Sequence, residues 1–375
     1  MAGIYIHIPF CKQKCHYCNF YSFTSTQFRG DFVDALLKEI DQRQDYIEGK
    51  SVNTIYFGGG TPSMLSAAEI NRIINKISNV FEVHANAEIT LEANPDDLNN
   101  GKLIALKNET SINRLSMGVQ SFFDDDLRYL NRVHGGSQAR KAIELSIKHG
   151  FQNMTIDLIY GIPTLSEKKW KENLEIFFSY QIPHLSSYSL TVEPKTALSV
   201  LINKGKMKNV DEEQSIKHFK ILLEQTDKQS YVHYEISNFA REGFYSKHNS
   251  IYWLGGHYLG LGPSAHSFNG VSRQWNVSNM KQYINSVMTE NIVAEKEVLT
   301  KDQRFNEYVM TSLRTLWGCD LEHIENVFGQ DSITFLKEKI KLFIDEEKVY
   351  KTGSKYFLTN KGKLFADGIA AGLFK

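Results

Sequence analysis

The chain has 375 residues, 42 % hydrophobic and 23 % charged, with 43 Lys plus Arg balanced by 43 Asp plus Glu. That length suits two or three domains with a sizeable core, and the zero net charge removes the electrostatic signature of a nucleic-acid binder. No apolar run approaches the roughly 18 residues needed to span a bilayer, and four cysteines in the whole chain are too few for a disulfide framework.

The N-terminal MAGIYIHIPF lacks the basic, apolar and small-residue regions of an export signal. The thiols are therefore expected reduced, in a cytoplasmic protein. A strand over 4–10 runs into HIPFCKQKCHYCNF (7–20), which sets Cys11, Cys15 and Cys18 at C-x3-C-x2-C spacing. Three thiolates on one loop can wrap a compact metal centre. One reading is a [4Fe–4S] cluster with one iron left open; the other is structural zinc, completed by His7 or His16.

Downstream, strand-like runs alternate with helical patterns. A helix over 32–47 is followed by a strand over 53–59 that ends in Gly58, Gly59 and Gly60. A helix over 66–81 sets Ile70, Ile73, Ile74 and Ile77 on one face, as the 3.6-residue period requires. Strands follow over 88–95, 112–121, 153–161 and 184–193, with a helix over 168–181 before the last. Six β-α units imply a parallel sheet, open or closed into a partial barrel, with ligands at the C-terminal strand ends. After residue 230 the alternation gives way to a Gly-, aromatic- and His-rich stretch. From about 300 three helices, VYKTGSKYFLTNKG and a last short helix suggest a winged-helix-like module. The expected organisation is a core over 1–230, a connecting region over 231–299 and an accessory domain over 300–375.

C-x3-C-x2-C after the first strand of a β/α chain resembles the signature of the radical S-adenosylmethionine (SAM) superfamily. The resemblance implies a partial (β/α)6 TIM-like barrel. It also implies that three cysteines hold a [4Fe–4S] cluster while the amino and carboxylate groups of SAM occupy the fourth iron. Cys319, distant in sequence, is then left over as a core or surface thiol, unless the last domain folds over the cluster. The strand ends carry groups that suit SAM. Glycines at 58–60 permit close backbone approach, Glu92, Gln120 and Asp157 stand at successive strand ends, and Arg132 suits a carboxylate.

YIHIPFCKQKCHYCNF, YFGGGTPS, LEANP, GVQSF and DLIYGIP together resemble the branch that contains oxygen-independent coproporphyrinogen III oxidase and a group of heme chaperones. By that resemblance Tyr5, Gly60, Thr61 and Pro62 contact SAM, together with Glu92, Gln120, Arg132 and Asp157. Two features lean toward the chaperone group. Ten residues precede Cys11, where the oxidase has a longer segment, and Phe20 stands where the oxidase has a further cysteine. KHNSIYWLGGHYLGLGPSAHSF (247–268) also carries an HNxxYW pattern resembling the one that marks heme chaperones. His248 offers a neutral imidazole to heme iron, with Asn249 beside it and Tyr252 and Trp253 as flat apolar faces. His257 and His266 are alternative ligands. The implied function is heme binding and transfer to apoproteins, respiratory heme enzymes among them. Peripheral membrane association and a homodimer are both compatible with it. The alternative is oxidative decarboxylation of coproporphyrinogen III.

Overall fold

The computed structural model describes residues 2–47, 49–291 and 294–375. The Ile-, Leu- and Tyr-rich runs form six strands: β1 (Ala2–Ile8), β2 (Val52–Gly59), β3 (Val83–Ala93), β4 (Arg114–Gln120), β5 (Met154–Tyr160) and β6 (His184–Ser189). Each is parallel to the next in chain order. The crossovers are made by α1 (Arg29–Gln42), α2 (Ala67–Val80), α3 (Asn100–Glu109), α4 (Asp124–Tyr129), α5 (Gly136–Lys148) and α6 (Glu167–Ser179). In α2 the expected face is the buried one, with Ile70, Ile73, Ile74 and Ile77 in the core. The helix begins where Ser66 and Glu69 form a reciprocal capping box, which satisfies backbone donors that a first turn leaves unpaired.

The barrel stays open. β6 is followed by α7 (Ala197–Asn203), α8 (Glu212–Lys228) and a short pair, β7 (Val232–Glu235) and β8 (Asn238–Ala240). β8 pairs antiparallel with β6 and takes the place β1 would have in a closed barrel. After α9 (Lys247–Trp253), β9 (His257–Leu261) lies parallel to the other edge of β1. β10 (His266–Phe268), β11 (Ser272–Asn276) and, beyond α10 (Met280–Met288), β12 (Ala294–Val298) extend that edge. Residues 231–299, expected as a connecting region, thus supply six strands of a 12-stranded sheet. The physical reason is that an open six-stranded sheet has two unpaired edges, and these segments cover both.

The C-terminal part has its own core around Phe305, Ile324, Leu336 and Cys319. It comprises α11 (Lys301–Leu313), β13 (Cys319–Asp320), α12 (Leu321–Phe328), α13 (Gln330–Asp345), the hairpin β14 (Val349–Thr352) and β15 (Lys355–Leu358), then α14 (Asn360–Lys363) and α15 (Ala366–Gly372). Three helices, a hairpin wing and two short closing helices match the winged-helix-like expectation. The hairpin turns at Gly353, whose φ of 58° is a conformation that glycine adopts without cost.

Parallel strands here are buried on both faces. Ile4, Ile6 and Ile8 are fully buried in the hydrophobic core. The alternate residues turn into the half-closed barrel, where polar side chains meet one another. Thr54 bonds His248, Tyr56 bonds Glu92, and Arg114 lies 3.8 Å from Glu88 and bonds Thr155. Helix α9 closes the N-terminal end of this interior. The Glu88 carboxylate accepts the Lys247 and His248 amides at 3.2 and 3.1 Å, a favourable site for negative charge at a helix start.

Candidate functional site

The loop after β1 is fixed by its neighbours. Phe10 packs edge-on against Phe23 and Phe32, and the Cys11 amide donates to the Phe23 carbonyl at 3.0 Å. Lys12 pairs with Asp96 at 2.8 Å, and Asn131 Nδ2 donates to the Lys14 carbonyl at 2.9 Å. Cys11 is buried and Cys15 and Cys18 are half-buried, all three as free thiols. Burial pushes the Cys11 and Cys18 thiols up.

All three line one cavity of about 440 Å3 at the C-terminal strand ends. Gly60, Thr61, Pro62, Glu92, Gln120, Arg132 and Asp157 line it too, so seven of the eight residues assigned to SAM by resemblance share it. The eighth, Tyr5, does not. It stacks on Tyr56 and His248 below the cavity, and its hydroxyl lies 3.3 Å from His7 Nδ1.

Gly60 has a steric reason to be glycine: a Cβ there would meet the Phe10 carbonyl at 2.8 Å and Cys11 Sγ at 3.0 Å. Thr61 Oγ1 donates to Cys11 Sγ at 3.5 Å. Arg132 is held by three contacts, to Cys15 Sγ (3.3 Å), Asn94 Oδ1 (2.6 Å) and the Gly118 carbonyl (2.8 Å). Its Nε is buried without a partner among the described residues. Gln120 has a φ of 68° at a break in the β4–β5 register, a strained backbone of the kind found at ligand sites.

The Glu92 carboxyl accepts from Tyr56 Oη at 2.8 Å and from the Gly59 amide at 3.2 Å. Removal from water outweighs these bonds and pushes it up to about 7. Burial likewise raises Asp157 to about 6, opposed by Arg114. Both groups change charge near neutrality, and both face the cavity.

The donor set fits an iron–sulfur cube better than zinc. Both nitrogens of His7 are occupied, Nε2 on the Tyr21 carbonyl at 2.8 Å and Nδ1 toward Tyr5, and His16 Nδ1 is on the Tyr129 carbonyl at 3.0 Å. Among the described residues no three His, Cys, Asp or Glu side chains converge on a single ion. A cube asks instead for thiolates directed at separate irons. Three cysteines on one cavity wall, beside an arginine with a free Nε, suit a cluster with an anionic ligand next to it. Cys319 is elsewhere, buried in the C-terminal core, where burial pushes its thiol up to about 12.

The HNxxYW residues divide between two environments. His248 is 1 % exposed, with Nδ1 at 2.7 Å from Thr54 Oγ1 and Nε2 at 2.7 Å from Tyr252 Oη. Burial lowers it to about 3, so the ring is neutral. Asn249 lies in the first turn of α9, its amide donating to Ser246 Oγ. Tyr252, its hydroxyl turned inward onto His248, and Trp253 line a second cavity, of about 560 Å3, between the sheet and the C-terminal part. His257 and His266 do not line it; His266 stacks on Trp275 instead.

Sequence reasoning missed Asn94, which holds both Arg132 and Thr61 (Nδ2 to Oγ1, 3.2 Å). It also missed Ser116 and Tyr188 on the cavity wall. Asn94 stands in the LEANP run and Tyr188 at the end of β6, so inspecting every strand-end residue would have found both.

A parallel sheet that stops short of closing, with a three-cysteine loop after its first strand and a polar cavity over the strand ends, is the radical SAM architecture. The Radical SAM superfamily matches over residues 5–177, and the HemN C-terminal domain matches over residues 299–365. Heme chaperone HemW of Bacillus subtilis (strain 168) is 32 % identical over 372 residues, 98 % of each chain. Heme chaperone HemW of Lactococcus lactis subsp. lactis (strain IL1403) is 33 % identical over 96 % of this chain and 93 % of its own. Among solved structures, coproporphyrinogen III oxidase (HemN) from Escherichia coli aligns with a TM-score of 0.85 and 25 % identity, over 100 % of this chain and 90 % of its own. The chain belongs to the HemW family of the radical SAM superfamily. Among the described residues no helix is long and apolar enough to cross a membrane.

Proposed function

We propose that this protein is a heme chaperone that carries a [4Fe–4S] cluster and SAM, binds heme and hands it to apoproteins in the cytoplasm, respiratory heme proteins among them. Cys11, Cys15 and Cys18 hold the cluster. Thr61 and Arg132 steady the sulfurs of Cys11 and Cys15, and Arg132 offers its free Nε to the SAM carboxylate. Gly60 and Pro62 bring backbone against the methionine end, while Glu92, Gln120 and Asp157 take its amine and ribose hydroxyls. Tyr5 acts from beneath, through the Tyr56 ring. When bound, the cluster supplies one-electron chemistry. Heme is assigned to the segment of His248, Asn249, Tyr252 and Trp253, with His248 reached only once Tyr252 and Thr54 release its nitrogens.

The observation that carries this reading is the separation of two cavities. Tyr252 and Trp253 line the second cavity and not the one with the cysteines. A flat aromatic ligand there sits apart from SAM, as suits cargo. The relatives, heme chaperones by name, support this reading. A decarboxylase needs its porphyrinogen beside SAM, in the 440 Å3 cavity. That second reading draws on the oxidase likeness.

The discriminating experiment uses anaerobically reconstituted, heme-loaded protein mixed with an apo-heme protein. Transfer of the Soret band to the acceptor, with no decarboxylation of coproporphyrinogen III in a parallel assay, is the expected result. Decarboxylation without transfer would replace the chaperone by the oxidase.

A further inference from the structure

The second cavity has two walls. One carries Tyr252 and Trp253 of α9; the other, from the C-terminal part, carries Tyr308 and His323. Its volume of about 560 Å3 is within the usual range for cofactor sites, about 300–1,000 Å3. Tyr252 meets Tyr258 edge-on at 4.6 Å, which fixes its ring. The His323 ring stacks on Tyr308 at 4.1 Å, and neither of its nitrogens takes part in a hydrogen bond among the described residues. Burial lowers His323 and so favours the neutral form of the ring, the form that ligates metal. Three cations border the groove. Arg273 pairs with Glu307 at 3.0 Å and Lys355 with Asp320 at 3.7 Å. Arg304 has no carboxylate partner among the described residues, and its Nε is buried without a hydrogen bond.

Resting on the chaperone reading, we infer that heme docks in this groove with His323 as the iron ligand and Arg304 as the partner of a propionate. Each part of heme meets a group suited to it. The macrocycle meets aromatic faces, the iron an unengaged imidazole, and one carboxylate a guanidinium that lacks a counter-charge. His248 cannot receive the iron first, because both its nitrogens are bonded and its side chain is 1 % exposed; it becomes available only once Tyr252 and Thr54 let go. Both walls are needed, so the C-terminal part is a component of the heme site and not an appendage to it.

The test is a titration of hemin, and separately of iron-free protoporphyrin IX, into full-length, anaerobically reconstituted protein, wild type against His323→Ala and Arg304→Ala. Circular dichroism and melting temperature, measured alongside, report that each variant is folded, its C-terminal part included. His323→Ala should shift the hemin Soret band and weaken hemin binding about tenfold, with protoporphyrin IX unaffected. Arg304→Ala should weaken both ligands by a similar factor, about fivefold, with no Soret shift. Wild-type hemin behaviour in both variants overturns this assignment and leaves the chaperone reading standing. Absence of saturable hemin binding by the wild type removes the chaperone reading, and this one with it.

Discussion

Arg132 donates from Nη1 to Cys15 Sγ at 3.3 Å, although 117 positions separate the two residues in the chain. The same guanidinium reaches Asn94 and the Gly118 carbonyl, so it is fixed before any ligand arrives. Preorganised donors lose little entropy on binding.

Arg132→Ala is expected to weaken SAM binding by about 1.5–3 kcal/mol, the worth of a charge-assisted bond, roughly ten- to a hundred-fold in affinity. The cluster should remain. Equilibrium dialysis with SAM and iron analysis on the same reconstituted sample measure both. Loss of iron in this variant would make Arg132 a structural support of the loop instead.

Replacing Cys11, Cys15 or Cys18 by Ala should abolish the visible absorbance and the iron and sulfide content after reconstitution. Cys319→Ala should keep both. Because Cys319 is fully buried in the C-terminal core, it should cost about 1 kcal/mol of stability, read as a lower melting temperature. A Cys319→Ala protein without iron would make this thiol a fourth ligand.

Glu92 gives a pH signature. Its folded-state value, about 7, stands above its ordinary 4.5. The native state therefore holds a proton that the unfolded chain has released, and the stability this provides is complete below about 4.5 and is lost as pH rises through about 7. The carboxylate opens on the cavity, so solvent reduces the effect to about 1–2 kcal/mol. In melts of cofactor-free protein between pH 5 and 8, Glu92→Gln should lose part of the wild-type decline. Parallel curves for the two proteins would refute the raised value.

His248→Ala should destabilise the fold by about 2–4 kcal/mol, since it leaves the hydroxyls of Thr54 and Tyr252 unpaired and opens a cavity. Tyr252→Phe removes only one of the two bonds and should cost about 1–2 kcal/mol. Chemical denaturation of both variants measures this. Heme loss in His248→Ala therefore identifies a ligand only when the variant is shown to be folded under the same conditions.

The strand ends were legible because β/α order dictates where ligands gather, whatever the ligand is. That rule leads to Glu92 and Gln120, at the ends of β3 and β4, in one cavity; Asp157, in the middle of β5, joins them there. Tyr5 escapes it, because a strand buried on both faces carries no alternation to tell which side chains reach the cavity. β7 to β12 escaped as well: strands of three to five residues, rich in Gly, His and aromatics, have too little period to register. His323 stands in no motif at all, and only the packing of α12 against α11 brings it opposite Trp253.

Tyr56 occupies the middle of the barrel with a neighbour at each end. Its hydroxyl holds Glu92 at the cysteine side, and its ring stacks on His248 at 4.9 Å toward α9. One ring thus touches a residue of each proposed site, Glu92 of the cysteine cavity and His248 of the HNxxYW segment. Any ligand that draws Glu92 off the hydroxyl disturbs the stack below, and displacement of His248 from beneath loosens Glu92 above. Thermodynamic reciprocity then makes the influence equal both ways: if SAM alters the grip on heme by some factor, heme alters the grip on SAM by the same one.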